Sequence, residues 1–175
     1  MADNLARRIE GYLARLQARQ MSPHTLSAYR RDLGKLQHWM QSEGIEHFAD
    51  LSADRLRGLI ASEHRAGLAP KSLHRLLSAC RGLFRDLVRE GELGGDPSAG
   101  LRAPKLRRKL PEVLDADEAR ALVELPGDDV LAVRDHAMLE LLYSSGLRLA
   151  ELAALRWGDI DLADGRARAF YTVMA

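Results

Sequence analysis

Apolar residues recur at three- and four-residue spacing through the first ninety positions, which is the period of amphipathic helices. Leu5, Ile9, Leu13 and Leu16 predict a helix over about Asn4 to Arg19. Ser22 before Pro23 is a start signal, a capping hydroxyl followed by a proline whose missing N–H costs nothing in the first turn. Leu26, Tyr29, Leu33, Leu36 and Met40 then line one face of a second helix that ends at Gly44. Ser52 opens a third helix, with Asp54 in its first turn and Leu56, Leu59 and Ile60 as its apolar face, ending at Gly67. Pro70 opens a fourth. Placed at about 100° per residue, Leu73, Leu76, Leu77, Cys80, Leu83, Phe84, Leu87 and Val88 share one arc, and Lys71, Arg75, Arg81, Arg85 and Arg89 share the opposite one. One side of this helix is core and the other is cationic.

Gly91, Gly94, Gly95 and Pro97 break the pattern. The stretch from Leu101 to Pro111 carries five cations, no anion and two prolines, and reads as an extended basic linker. Beyond it, Asp115 and Glu118 have the spacing of a capping box for a short helix to about Leu125, closed by Pro126 and Gly127. A longer helix is expected from about Asp128 to Tyr143, where Leu131, Arg134, Met138, Leu141 and Leu142 repeat helically before Gly146. Leu147 to Arg156 fits another short helix, and Asp159 to Gly165 reads as a loop entering a turn. Phe170 to Val173 favour a strand, which needs a partner to satisfy its backbone, so the chain is expected to stop inside a sheet.

Composition narrows the class. At 175 residues, 46% hydrophobic and 29% charged, the chain is globular rather than disordered or fibrous. Its one cysteine, Cys80, forms no internal disulfide, no apolar run reaches the roughly 18 residues of a membrane span, and Met1 to Arg19 lack the apolar stretch of a secretory signal. The expected compartment is the cytoplasm. The formal net charge of +1 divides unevenly: residues 1–110 hold 20 Lys and Arg against 12 Asp and Glu, whereas residues 111–175 hold 6 against 13. A basic half is joined to an acidic one.

A cationic helix face running into a basic linker suits phosphate-backbone binding, which needs positive charge and no base-specific geometry. The plain alternative for such a face is a solvated surface. The expected nucleic-acid set is Arg31 and Lys35 on the second helix, Lys71, Arg75, Arg81, Arg85 and Arg89 on the fourth, and Arg102, Lys105, Arg107, Arg108 and Lys109 in the linker. Arg148 follows Gly146-Leu147, with Glu151 three residues on, and by spacing alone this is a surface ion pair. Cys80 sits in the middle of an apolar face and is expected to be an inert buried thiol. The six histidines and the lone cysteine make no metal-ligand pattern, and no glycine-rich phosphate loop is present, so no metal or cofactor is expected.

Several motifs in order resemble one family. Met21-Ser-Pro-His-Thr-Leu-Ser-Ala-Tyr-Arg-Arg-Asp-Leu33, Lys71-Ser-Leu-His-Arg-Leu-Leu-Ser-Ala-Cys-Arg-Gly-Leu-Phe84, Asp96-Pro97, Ala103-Pro104-Lys105 and Leu110-Pro111 resemble the core-binding domain and linker of Xer-type tyrosine recombinases of the phage integrase family. The segment from Arg134 to Leu152, with Leu155 and Asp159-Ile-Asp161, is similar to the first signature box of that family's catalytic domain. A start almost directly at the core-binding helix points to the XerC-like branch.

The resemblance implies a mainly α protein. Residues 1–100 would be a four-helix, SAM-like core-binding domain, 101–112 a basic linker, and 113–175 the first helices and an incomplete strand of a catalytic domain, with 166–175 diverging from the family. It implies a double-stranded DNA partner, gripped by two domains as a clamp, and strand exchange through a 3′-phosphotyrosyl intermediate without metal or nucleotide. It also implies a XerD-like recombinase in a heterotetramer, a DNA translocase, and a role in resolving chromosome dimers during segregation. Arg148 matches the first catalytic arginine, whose fork takes two phosphate oxygens. The family's further lysine, His-x-x-Arg box and nucleophilic tyrosine have no counterpart here: no lysine follows Lys109, no histidine follows His136, and Tyr171 lies too close to Arg148 to be the nucleophile. The chain is therefore expected to be an N-terminal piece, cut off by frameshift or truncation, that binds DNA and is inactive alone. The competing reading is a non-enzymatic helical regulator or protein-interaction module.

Overall fold

The start signals act at the backbone as the spacing predicts. The Ser22 hydroxyl accepts from the Thr25 amide at 3.2 Å and Pro23 is the first residue of helix α2, Pro23–Ser42. Ser52 caps α3, Ala53–Arg65, through the Arg55 amide at 3.2 Å, and Pro70 begins α4, Pro70–Arg89. Helix α1 spans Ala2–Ala18, and a 3-10 turn at Phe48–Asp50 joins α2 to α3. The computed structural model describes residues 2–104, 113–124, 127–161, 164 and 166–167. These belong to two compact units, one within Met1–Arg108 and one within Lys109–Val173.

In the first unit the apolar arc of α4 is the centre of the core. Leu73, Leu76, Leu83 and Phe84 are wholly excluded from solvent, and Leu33, Leu36 and Met40 of α2 and Leu59 of α3 are equally buried. Leu5, Ile9, Leu13 and Leu16 of α1 close another side. The Phe48 ring meets Phe84 edge to face, with centroids 6.4 Å apart. Val88, expected on the core arc, is 36% exposed, because it lies at the arc's margin in the last turn. Cys80 is buried as expected, and burial pushes its thiol up to about 12.

Buried charge is paired. Asp32 of α2, 1% exposed, accepts from Arg75 of α4 at 2.7 and 3.2 Å. Asp86 of α4, 4% exposed, accepts from Arg15 Nε of α1 at 2.9 Å. Each carboxylate lies between helices, where an unpaired charge would be costly, so each ion pair fixes helix register as well as charge balance.

In the second unit the Asp115–Glu118 capping box forms and starts α5, Ala116–Val123. The Asp129 side chain accepts from the Leu131 and Ala132 amides at 2.8 and 3.0 Å, which sets the start of α6 at Val130 rather than Asp128; α6 runs to Ser145 and ends on Gly146 at a left-handed φ of 64°. A short helix α7 covers Leu149–Ala154. The expected loop at Asp159 to Gly165 is corrected. After a 3-10 turn at Trp157–Asp159, Ile160–Asp161 forms strand β1, antiparallel to β2 at Arg166–Ala167, with Ile160 opposite Ala167 and Asp161 opposite Arg166. Two-residue strands show no alternation, so only their backbone pairing reveals them. The strand expected at Phe170 to Val173, and Tyr171 with it, lies outside the described residues. Among the described residues no helix is long and apolar enough to cross a membrane.

Gly82 of α4 lies against Tyr12 of α1. A methyl group there would lie 2.0 Å from the Tyr12 hydroxyl oxygen and 3.0 Å from its ring carbon Cζ. Helix propensity alone would make Gly82→Ala stabilising by up to about 1 kcal/mol. The overlap reverses the sign, and a net loss on the order of 1–2 kcal/mol is expected in a denaturant melt, partly recovered when Tyr12→Phe is added. A melt showing Gly82→Ala unchanged or stabilised would mean that the two helices do not approach this closely. Cys80 gives a second check: thiol labelling at neutral pH should proceed only at the rate of unfolding, since burial keeps the thiolate population negligible.

Candidate nucleic-acid interface

The twelve cations expected to face nucleic acid meet different fates. Arg31, Lys71, Arg85 and Arg102 are exposed and make no ion pair among the described residues. Lys71 and Arg85 lie on the same side of α4, and Arg31 follows the apolar Tyr29 on α2. Three others are engaged inside the first unit. Arg75 holds Asp32, Arg81 donates from Nη2 to the Leu101 carbonyl, and Lys35 Nζ lies 2.6 Å from Glu63 of α3. Arg89 is exposed, with Asp86 at 3.8 Å. Lys105, Arg107, Arg108 and Lys109 lie outside the described residues.

Asp32 and Glu63 are the residues that sequence reasoning missed, because they convert expected phosphate ligands into internal ties. Asp32 carried a readable signal: it sits beside Leu33 and between Tyr29 and Leu36, inside the apolar stripe of α2, where a carboxylate requires a cation from another element. Glu63 carried none, since its partner lies 28 positions away on a different helix. The Asp32 hydrogen bond and charge raise the Arg75 pKa further, against the opposing effect of partial burial.

In the second unit Arg148 is the N-cap residue of α7. Its backbone amide donates to Glu151 Oε2 at 2.8 Å, and its Nη1 donates to Glu151 Oε1 at 2.8 Å. The Glu151 side chain is 15% exposed and that of Arg148 is 70% exposed. One carboxylate thus closes the helix start and ties the guanidinium at the surface. The described residues include no group of three or more His, Cys, Asp or Glu side chains able to hold a metal ion.

Residues 9–91 match the family described as phage integrase, N-terminal SAM-like domain, and residues 112–172 match the phage integrase family. The chain belongs to the phage integrase family of tyrosine recombinases. It is 55% identical over 165 residues to the tyrosine recombinase XerC of Xanthomonas campestris pv. campestris strain B100, covering 94% of this chain and 51% of that protein. Against the tyrosine recombinase XerC of Xylella fastidiosa strain 9a5c it is 51% identical over 162 residues, covering 92% of this chain and 55% of the relative. It therefore spans about half the length of the curated relatives it matches. A crystal structure of a lambda integrase dimer bound to a COC′ core site superposes with a TM-score of 0.61 at 19% identity, over 94% of this chain and 47% of that one, which shows the shared fold. The mainly α class and the SAM-like first domain expected from the motifs are what this tyrosine recombinase chain has.

The Arg75–Asp32 pair sets an expectation within this family fold. Arg75→Gln leaves a carboxylate that is 1% exposed without its cation, and a loss on the order of 2–3 kcal/mol is expected in a denaturant melt. Pairing it with Asp32→Asn should return most of that loss, and additive single effects in the double-mutant cycle would show that the two side chains are not coupled.

Proposed function

We propose that this chain is the DNA-binding part of a XerC-like site-specific recombinase. The observation that carries the reading is the set of exposed cations Arg31, Lys71, Arg85 and Arg102, which make no ion pair among the described residues, on a fold shared with a lambda integrase solved bound to a COC′ core site. These four, continued by Lys105, Arg107, Arg108 and Lys109, neutralise backbone phosphates, and sequence is read by other contacts in the grooves. Arg89 joins them once its weak tie to Asp86 opens, whereas Lys35, Arg75 and Arg81 act inside the fold. Residues 1–100, 101–112 and 113–175 serve as clamp domain, linker and the beginning of the catalytic domain.

Arg148 is the first catalytic arginine. Its fork, held by Glu151, stabilises the charge that develops on the scissile phosphate, the preorganised electrostatic effect on which phosphoryl transfer depends. The remaining lysine, His-x-x-Arg box and nucleophilic tyrosine are not in this sequence, so the chain by itself binds DNA and does not transfer strands. With those groups supplied, the activity is cutting and rejoining of DNA through a phosphotyrosyl link to resolve chromosome dimers. It takes place in the cytoplasm with a XerD-like recombinase and a DNA translocase, and needs no metal or nucleotide.

Anisotropy titration on a duplex of about 30 base pairs at several salt concentrations tests the binding. Each phosphate contact adds about 0.9 to the slope of log affinity against log salt, so Lys71→Ala, Arg85→Ala and Arg102→Ala together should flatten the slope by about 2–3. Affinity that ignores salt would overturn DNA binding and favour a protein-interaction module. A nicked suicide duplex should give no covalent adduct, and an adduct through Tyr171 would overturn the assignment of this chain as inactive alone.

A further inference from the structure

The end of the first unit is held against α4 at two points. Arg81 donates from Nη2 to the carbonyl oxygen of Leu101, and His74 Nε2 lies 2.7 Å from the carbonyl oxygen of Pro104. A carbonyl oxygen only accepts, so Nε2 carries the hydrogen of the second bond. His74 and Arg81 are seven residues apart on one helix, about 10 Å along its axis at about 1.5 Å per residue. Leu101 and Pro104 are three residues apart, and three residues cover about 10 Å only when the chain is extended. The two lengths agree. The segment therefore lies extended along α4 and antiparallel to it, its start level with Arg81 and its end level with His74.

Packing supports the same course. Leu101 is 6% exposed, and Ala103 packs against the core. Just upstream, Ser98 is wholly buried and donates from its amide to Asp96 Oδ1 at 2.8 Å, which anchors the entry to the segment. Pro104 restricts Ala103 to extended conformations, so the local chemistry agrees with the two clasps.

We propose that His74 and Arg81 are positioning residues of the nucleic-acid interface. They strap Leu101–Pro104 onto α4, so that the cationic run after Pro104 starts from one fixed place, next to Lys71 and about two turns away from the level of Arg81. Lys71 precedes His74 by three residues and is its neighbour on the helix surface. A run that starts from a fixed point loses less freedom on binding a phosphate backbone than one that starts from a loose tether. The role rests on the DNA-binding reading above. It also assigns Arg81 an internal partner where its place on the cationic arc suggested a phosphate.

The experiment uses the whole chain with Arg81→Leu, His74→Leu, both together, and Arg81→Lys. Its first arm needs no DNA. The chain has four lysines, of which Lys35 and Lys71 lie in helices, so a lysine-specific protease reports on Lys105 and Lys109. In the double variant the cleavage rate there should rise about tenfold or more while the melting temperature of the first unit moves little; unchanged cleavage overturns the strap. Arg81→Lys guards against misfolding: it keeps the charge and the helix but loses the fork, and cleavage should fall between the two extremes. In the second arm the double variant should bind the duplex about tenfold more weakly at every salt concentration, with an unchanged salt slope. A slope lower by about 0.9 for Arg81→Leu would make Arg81 a phosphate ligand and overturn its positioning role. Failure of the unaltered chain to bind at all would overturn the DNA reading and the role built on it, while the cleavage arm would still report on the strap alone.

Discussion

Everything in the first unit depends on α4 being able to face two ways at once. Its apolar arc must be fully covered, and the residues at the edges of that arc must each find a polar partner on whatever covers it. Asp86 takes Arg15 from α1, Arg75 takes Asp32 from α2, and Arg81 and His74 take the carbonyls of Leu101 and Pro104. The hydrophobic contacts supply most of the free energy, but they are non-directional and tolerate sliding. The polar ties do not, because a displacement of one helical turn would leave buried carboxylates without cations. Gly82 adds a steric limit of the same kind, since Tyr12 occupies the space that any other residue would need.

That arrangement decides which positive charges remain for a partner. A helical projection treats every arginine on the polar arc of α4 as equivalent. In the folded unit the cations of that arc divide into exposed groups, Lys71, Arg85 and Arg89, and groups consumed by the fold, Arg75 and Arg81. Among the described residues of the first unit, the positive charge left exposed is therefore carried by fewer side chains than the sequence count indicates.

The second unit is organised by local signals. The capping box of α5, the Asp129 cap of α6, the left-handed Gly146 and the Arg148–Glu151 pair all act within four residues. Such contacts fix where helices begin and end without requiring a large core. Helix α6 carries apolar residues on all its sides, and Val130, Leu131 and Val133 are more than half exposed, so its helical form here owes more to caps and propensity than to burial. Arg148 gains its orientation by the same local means, from a carboxylate three residues away.

The sequence alone determined what depends on neighbours along the chain. Helix starts at Ser22, Ser52, Pro70 and Asp115, the buried arc of α4 from Leu73 to Leu87, and the Arg148–Glu151 pairing follow from spacing, because capping and amphipathic burial act within one or two turns. The order of the motifs likewise carried the family and its mainly α class. Tertiary structure decided whatever needed two distant segments: that Asp32 neutralises Arg75 across 43 positions, that Glu63 takes Lys35, that Leu101–Pro104 folds back along α4, and that Ile160–Asp161 pairs with Arg166–Ala167. A side chain's charge is written in its own residue, but whether that charge is spent inside the fold or left for a ligand depends on which element packs beside it.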